Sequence, residues 1–207
     1  MEKIKKHLEE EKPARTLELN DDEKEILKDM MLLTAKPILY ICNVSEEQLA
    51  NAENDENVKK VKEYVKNENS IAIPLCAKIE EELTSLEEAD KKEMLEALGL
   101  KESGLDRVIR ESYSVLGLMS FLTAGEPEVR AWTIKKGTKA PVAAGKIHSD
   151  IQRGFIKAEI VSYDDLIKEG SMNAAREKGL IRSEGKEYIM QEGDIVPVSY
   201  THLTLPT

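Results

Sequence analysis

The sequence has 207 residues, of which 41% are hydrophobic and 34% are charged, and its formal net charge is −10. This balance is typical of a globular protein, and the net acidity argues against a protein that coats nucleic acid nonspecifically. No apolar run approaches the roughly 18 residues of a membrane-spanning helix, and the charged first twelve residues are unlike a secretory signal.

Two charged helices are predicted at the start of the chain. The first covers residues 1–12 and ends at Pro13, which cannot continue a helix. The second begins at Asn20, with Glu23 three residues later as in a capping box, and is expected to end at Pro37. Its apolar residues keep helical spacing: Ile26, Leu27, Met30 and Leu33.

Two short apolar segments, residues 37–42 and 71–76, are predicted to be strands buried on both faces, as in a parallel sheet. Helices are predicted at residues 78–98 and 104–120. The helix between the strands has one apolar face: Val58, Val61 and Val65. The last helix has an apolar stripe: Leu105, Val108, Ile109, Leu116 and Met119. This order is that of an open α/β sheet, but two parallel strands rarely make a domain, so we expect residues outside this sequence, or another molecule, to complete it.

After Gly125 the pattern changes to short strands around one helix, which predicts a compact α+β module of about 75 residues. The predicted strands are residues 129–134, 155–161, 187–190 and 194–196, and the predicted helices are residues 143–151 and 164–168. Residues 197–207 contain no Asp, Glu, Lys or Arg and do not continue this pattern. We therefore expect them to be a non-native tail.

Several motifs, in order along the chain, resemble the YchF or Obg-like ATPase family. They are residues 33–37, 40–46, 74–80, 104–110, 121–132, 140–150 and 154–159. The resemblance implies that residues 1–20 end a helical coiled-coil insertion and that residues 21–118 are the C-terminal half of the α/β G domain of a P-loop NTPase. It implies that residues 119–196 are a TGS domain, an α+β ubiquitin-like β-grasp module.

The same resemblance implies a protein that binds and slowly hydrolyses ATP with Mg²⁺ in its intact form. The sequence contains no G-x-x-x-x-G-K-[ST] loop, and the Phe-rich last strand of the family is replaced after Val196. The phosphate loop, the metal ligand and the water-positioning group would lie in the family's N-terminal half. We therefore expect no catalytic residue and no metal ligand here, and a chain that is inactive alone.

The segment Asn43-Val44-Ser45-Glu46 follows the first predicted strand, at the edge where α/β sheets bind ligands. In GTPases this loop reads Asn-Lys-x-Asp, and its aspartate accepts protons from guanine N1 and N2. Val44 and Glu46 replace the lysine and the aspartate. Asparagine pairs with adenine N6 and N7, so Asn43 is a candidate for reading adenine. The alternative is that Asn43 caps the next helix or holds a turn.

The segment 76–80 follows the second predicted strand and resembles the Ser-Ala-Lys loop whose backbone N–H groups face the base in GTPases. By this resemblance Ala77 and Lys78 line the base pocket; the alternative is a simple strand-to-helix turn. Cys42 and Cys76 end the two strands, where they could sense oxidation or act as small buried apolar residues. Two cysteines form no disulfide framework, so we expect a reducing, cytoplasmic location.

The acidic excess lies in residues 1–125, with 18 basic and 28 acidic residues, whereas residues 126–196 contain 12 of each. Within residues 129–157, however, basic residues far outnumber acidic ones. They are Arg130, Lys135, Lys136, Lys139, Lys146, Arg153 and Lys157. With Trp132 and Phe155 nearby, these residues are candidates for an RNA- or ribosome-binding face, or form a solvated surface. His148 has no nucleophile or second ligand beside it, which favours a structural role.

The expected partners are ATP and the ribosome or RNA, with no membrane or DNA partner. One function is that of a C-terminal part of a YchF-type ATPase, supplying base recognition and a TGS module. The alternatives are a non-enzymatic RNA- or ribosome-binding module and an inactive truncated fragment.

Overall fold

The computed structural model describes residues 2–68, 70–125 and 128–197. The chain forms two compact units, residues 1–116 and 117–207, and each has its own β-sheet. No helix in the described ranges is both long and apolar enough to cross a membrane.

The first unit alternates helices with two strands. Its α-helices are α1 (Glu2–Glu9), α2 (Asp21–Asp29), α3 (Glu46–Leu49), α4 (Glu56–Lys66), α5 (Ala77–Thr84), α6 (Glu88–Ala97) and α7 (Gly104–Val115). Its strands are β1 (Leu39–Asn43) and β2 (Ile71–Leu75), and 3-10 turns cover Ala14–Thr16, Leu33–Ala35 and Ala52–Asn54.

Capping decides where α2 begins. The Asn20 side chain accepts the Glu23 backbone N–H at 2.9 Å, and the Glu23 carboxylate accepts the Asn20 N–H at 3.0 Å, which confirms the capping box. The predicted end at Pro37 is wrong. Met31 takes a φ of 51°, in the left-handed region, and this ends the helix before the 3-10 turn. Leu33 is then 78% exposed, so no packing holds it in a longer helix.

The two predicted strands pair in parallel, from Leu39 beside Ile71 to Asn43 beside Leu75. The interior of β2 is buried, as predicted. The prediction that β1 is also buried on both faces is wrong, because Ile41 is 45% exposed. Within the described residues β2 is the only strand that pairs with β1.

Two predicted helices are too long. A turn at residues 85–87 divides the helix predicted over residues 78–98 into α5 and α6, where the Ser85 hydroxyl donates to the Glu82 carbonyl at 2.9 Å. The helix predicted to reach residue 120 ends at Val115, and Gly117, with a φ of 63°, turns the chain into a strand. Met119 is accordingly buried in that strand and not on a helical stripe.

The core of the first unit lies beside α5 and α6 and is formed by Cys76, Ile79, Leu83 and Leu95. Val58 and Val65 of α4 are also buried, as their spacing predicts.

A buried ion pair joins the segment after α1 to β1 and to the end of α4. Arg15 donates to the Glu68 carboxylate at 2.7 Å, and the Tyr40 hydroxyl donates to the same oxygen at 2.8 Å. The side chains of Arg15 and Glu68 are 12% and 5% exposed. Burial raises the pKa of Glu68, but hydrogen bonds from Arg15, Tyr40 and Tyr64 outweigh it and hold the pKa below the ordinary value.

The second unit is built on a five-stranded mixed sheet. Its elements are β3 (Leu118–Ala124), β4 (Val129–Lys135), α8 (Ala140–Ile147), α9 (Ser149–Arg153), β5 (Lys157–Ser162), α10 (Tyr163–Glu169), α11 (Met172–Glu177), β6 (Arg182–Gly185) and β7 (Asp194–Pro197). The strand order is β4-β3-β7-β5-β6, in which β3 and β7 are parallel and the other neighbours are antiparallel.

Several predicted elements of this unit differ from the structure. The strand predicted at residues 187–190 is wrong, because only an isolated bridge between Ile189 and Lys139 forms there. The strand β6 lies earlier in the chain. The helix predicted over residues 143–151 is two helices, because His148 is extended, with a φ of −160°. Helix α11 and strand β3 were not predicted.

Both faces of this sheet are covered. One face packs Phe121, Ile134 and Phe155 against α8, and the other packs Val161 and Ile195 against α10 and α11. Two layers therefore enclose the strands.

Asp194, which is 2% exposed, fixes the chain between β6 and β7. Its carboxylate accepts the Tyr188 hydroxyl at 3.0 Å and the Gln191 backbone N–H at 2.8 Å, and Arg182 lies 3.5 Å away. Burial and the hydrogen bond to Asp194 raise the pKa of Tyr188. This cluster satisfies a carboxylate that would otherwise be costly to bury.

Pro197, the first residue of the tail predicted at residues 197–207, pairs with Ala124 in β7. The rest of that prediction, residues 198–207, lies outside the described residues.

Candidate functional site

The candidate site of the first unit lies at the carboxyl ends of β1 and β2. Parallel pairing places Asn43 beside Leu75, and the Val44 N–H donates to the Leu75 carbonyl at 2.9 Å, which continues the ladder past the strand. The loops after the two strands are therefore neighbours, as the sequence predicted from the rule for α/β sheets.

Asn43 holds the start of α5. Its side-chain oxygen accepts the Ala77 backbone N–H at 3.0 Å. Cys76, the N-cap of α5, provides no side-chain acceptor, so Asn43 supplies one from the neighbouring strand. The next helix, α3, has its own cap, since the Ser45 hydroxyl accepts the Gln48 N–H at 3.3 Å. Asn43 therefore caps α5 and not the next helix, α3, which was the alternative role expected from the sequence.

Glu46 and Lys78 form an ion pair across the same two loops. The Lys78 ammonium lies 3.2 Å from the Glu46 carboxylate and 3.9 Å from that of Glu82. The hydrogen bond to Glu46 raises the pKa of Lys78. Both side chains are exposed, so solvent weakens the attraction, yet the structure brings together all five base-site candidates: Asn43, Val44, Glu46, Ala77 and Lys78.

Glu80 has a role that sequence reasoning missed. Its two carboxylate oxygens accept the backbone N–H groups of Gly104 at 2.8 Å and Leu105 at 3.0 Å, at the start of α7. A side chain at Gly104 would put its Cβ 2.7 Å from the Leu75 Cβ, so only glycine fits. Glu80 therefore fixes α5, and with it Ala77 and Lys78, against α7. The signal in the sequence was the N-terminal Ser103-Gly104, which marks a helix start that accepts a carboxylate.

The two cysteines occupy different environments. Cys42 pairs with Pro74, whereas Cys76 follows the last residue of β2, and both cysteines are free. Burial raises the pKa of the Cys42 thiol, whereas reactive cysteines have a lowered one. Cys76 is buried in the core. These environments favour small apolar roles over oxidation sensing.

The basic residues of the second unit do not form one patch. Lys135, Lys136 and Lys139 cluster where β4 turns into α8. Lys157 begins β5, at the opposite end of the sheet and roughly 25 Å away along the strands. The basic residues from Arg130 to Lys157 therefore lie in separate groups and not on the single face that the sequence suggested.

Some of these basic residues are already engaged. Lys139 pairs with Glu187, and Arg153 pairs with Asp150. The Arg130 guanidinium lies 4.3 Å from the centre of the Trp132 ring, whose N–H donates to Thr123. Among the described residues, the remaining lysines make no ion pair: Lys135, Lys136, Lys146 and Lys157.

His148 begins α9, and its Nδ1 accepts the Asp150 N–H at 3.2 Å. This contact gives it the structural role that the sequence favoured. In the part of the chain that the structure describes, no three His, Cys, Asp or Glu side chains are grouped as a metal site would require.

Comparisons with known proteins find relatives over nearly the whole chain. Residues 118–200 match the family YchF-GTPase_C, described as "Protein of unknown function (DUF933)". The Ribosome-binding ATPase YchF of Bacillus subtilis is 53% identical over 196 residues, which are 95% of this chain and 54% of that protein. Obg-like ATPase 1 of Rattus norvegicus is 42% identical over 192 residues, which are 91% of this chain and 48% of that protein.

A solved structure agrees with these relatives. The YchF GTPase of Schizosaccharomyces pombe is 38% identical, with a TM-score of 0.82 over 94% of this chain and 52% of that chain. The chain spans about half the length of the relatives it matches. The names of these relatives divide between ATPase and GTPase, so the residues that would read the base are the ones to test.

Proposed function

Because the chain belongs to the YchF family, as the motifs of its sequence predicted, we propose that it is the C-terminal part of a ribosome-associated, cytoplasmic ATPase. The intact protein binds ATP and hydrolyses it with Mg²⁺. The first unit supplies base recognition as half of a G domain, and the second is a TGS module that binds the ribosome or RNA.

The placement of Asn43 at the strand edge carries the base-recognition part of this proposal. The Asn43 oxygen uses one of its two lone pairs on the Ala77 N–H. Its second lone pair suits the adenine N6 amino group, and its N–H₂ group suits adenine N7. Adenine has no N1–H or 2-amino group, so a carboxylate there gains little from ATP.

In this proposal, the residues that bind the phosphates and the metal lie in the N-terminal half of the family's proteins. The sequence has no G-x-x-x-x-G-K-[ST] loop, and the residues that would hold Mg²⁺ in a P-loop NTPase belong to the part of the domain that contains this loop. We derive no catalytic step from this chain, and we expect no ATP hydrolysis by it alone.

Replacing Asn43 by aspartate separates its two roles. Asn43→Asp keeps an oxygen for the Ala77 N–H but loses the amide donors. We expect its affinity for AMP to fall about tenfold, because one hydrogen bond to the base is lost. NMR chemical-shift titration of the chain with AMP and with GMP measures this, and AMP makes the base contacts without needing a phosphate loop.

The control is Asn57→Asp, the same change at an exposed position on α4. Unchanged AMP binding by Asn43→Asp would leave Asn43 with a capping role only. A strong preference of the unsubstituted chain for GMP would overturn the assignment to ATP.

The strand order of the second unit supports the TGS proposal. A hairpin, β3 and β4, leads into α8, and the last strand returns parallel to β3 in the middle of the sheet. This is the order of a ubiquitin-like β-grasp module, and its cluster of Lys135, Lys136 and Lys139, of which only Lys139 is in an ion pair, is suited to phosphate groups.

Reversing the charges of Lys135, Lys136 and Lys139 to glutamate should weaken ribosome binding at least tenfold. Each lysine that contacts a phosphate contributes about one to the slope of log affinity against log salt. Lys139 also pairs with Glu187, so its contact with phosphate adds less to the slope. We therefore expect the magnitude of the slope to decrease by about two to three. Co-sedimentation with ribosomes at several salt concentrations measures both quantities.

A matched control reverses three exposed lysines of α4, Lys59, Lys60 and Lys66, which changes the net charge equally in the other unit. Equal losses in the two triple variants would show that net charge, and not this cluster, governs binding.

The second candidate is a non-enzymatic RNA- or ribosome-binding module, favoured by the unpaired lysines and by the missing phosphate loop. Ribosome binding by a chain that shows no response to AMP would select it. A chain that binds neither would be an inactive fragment.

A further inference from the structure

The loops at the ends of β1 and β2 contain pairings that base recognition by Asn43 does not use. We propose that Lys78 is a specificity-determining residue, which makes the site select against guanine by holding the Glu46 carboxylate in an ion pair. This inference rests on the proposed function, since it concerns the same base site.

The argument begins with the two bases. Guanine presents the O6 acceptor and the N1–H and N2–H donors along one edge, whereas adenine presents the N6 donor and the N1 acceptor. A site that favours guanine therefore needs a backbone N–H for O6 and a carboxylate for N1 and N2. Both groups exist here, as the Ala77 N–H and the Glu46 side chain.

Both groups are engaged within the protein. The Ala77 N–H donates to the Asn43 oxygen at 3.0 Å. The Glu46 carboxylate lies 3.2 Å from the Lys78 ammonium. Guanine would have to break both contacts to use these groups. Adenine needs neither, because the second lone pair and the amide N–H₂ group of Asn43 suffice.

The position of Lys78 suits this role. It is the second residue of α5, whose start is fixed on one side by Asn43 and on the other by the contact of Glu80 with α7. Glu82, one turn later, lies 3.9 Å from the same ammonium and keeps the lysine on this side of the helix. Lys78 can therefore reach Glu46 without any change of the backbone.

The expected change in base preference is small, because exposed ion pairs are weak. Lys78 and Glu46 are 68% and 52% exposed, and such a pair shifts an equilibrium by up to about fivefold. Removing the charge of Lys78 should free the Glu46 carboxylate for guanine and raise the affinity for GMP by up to about fivefold.

The test compares AMP and GMP binding by the whole chain, using NMR titrations. Lys78→Met keeps the length of the side chain and removes its charge, and we expect the ratio of GMP to AMP affinity to rise about fivefold. Lys78→Arg keeps the ion pair and should retain the original ratio. Lys92→Met, at an exposed lysine of α6, is the matched control and should also retain it. Adding Glu46→Gln to Lys78→Met should abolish the gain.

An unchanged ratio in Lys78→Met would overturn the role of Lys78, and so would a gain that survives Glu46→Gln. Loss of AMP binding without a gain for GMP would also overturn it, since Lys78 would then contact the nucleotide directly. If the unsubstituted chain binds neither nucleotide, base recognition itself fails. If it prefers AMP and Lys78→Met keeps that preference, only the role of Lys78 fails.

Discussion

Replacing Glu68 by alanine should lower the free energy of unfolding of the first unit by about 3–5 kcal/mol. The substitution removes the carboxylate that Arg15 contacts at 2.7 Å and Tyr40 at 2.8 Å. The Arg15 guanidinium then stays buried without a counter-ion, which is the main source of the loss. Urea denaturation followed by circular dichroism measures it.

The chain provides its own reference for this experiment. Trp132 is the only tryptophan of the sequence and lies in the second unit. The fluorescence of Trp132 reports the unfolding of the second unit, whereas Glu68 lies in the first. Glu63→Ala, at an exposed position on α4, should change stability by less than about 0.5 kcal/mol. A loss below about 1 kcal/mol in Glu68→Ala would contradict the assignment of a buried pair.

The same group makes the effect depend on pH. Despite its burial, the pKa of Glu68 is lowered from the ordinary 4.5 by its hydrogen bonds. A carboxylate with a lowered pKa in the folded state stabilises the fold above its unfolded value, and this contribution is lost as the pH falls through the folded value. The difference between the unsubstituted chain and Glu68→Ala should therefore shrink on acidification below about pH 4.5.

Replacing Asp194 by alanine should destabilise the second unit by about 3 kcal/mol. The substitution leaves the Tyr188 hydroxyl and the Gln191 N–H without their acceptor, and hydrogen bonds to a charged group contribute about 1.5–3 kcal/mol each without adding fully. The fluorescence of Trp132 during urea denaturation follows this unit directly.

Asp164→Ala is the matched control, since Asp164 is exposed in the first turn of α10 and should contribute less than about 1 kcal/mol. An equal loss in the two variants would mean that Asp194 contributes no more than an exposed aspartate.

Local signals predicted the parts of the fold that local interactions decide. The capping box at Asn20 and the buried face of α4 depend on residues three or four apart, and the structure has both. Residues 118–120, the start of strand β3, were predicted as helix because Leu116 and Met119 continue the helical spacing of α7. Pairing with β4 and β7 decides that segment, and its partners are remote in the sequence.

The candidate site shows the same division. The position of Asn43 and Ala77 followed from the rule that parallel strands end at one edge, and the structure places them there. The Glu46–Lys78 pair depends on a side-chain distance that no spacing encodes. The helix start at Ser103-Gly104 indicates a place for a carboxylate, but the sequence does not identify Glu80 as the residue that provides it. The pairing of Arg15 with Glu68 joins residues far apart in the sequence and had no signal at all.

Strand β4 is the outer strand of its sheet, and no described strand pairs with its far edge. Such an edge can template aggregation with another copy of the chain, and charged side chains on it oppose this. Arg130 and Lys135 stand on β4, so their charges oppose such pairing whether or not they contact RNA. Charge reversal at Lys135 keeps that protection, whereas Lys135→Val would leave only Arg130 and favour self-association through this edge.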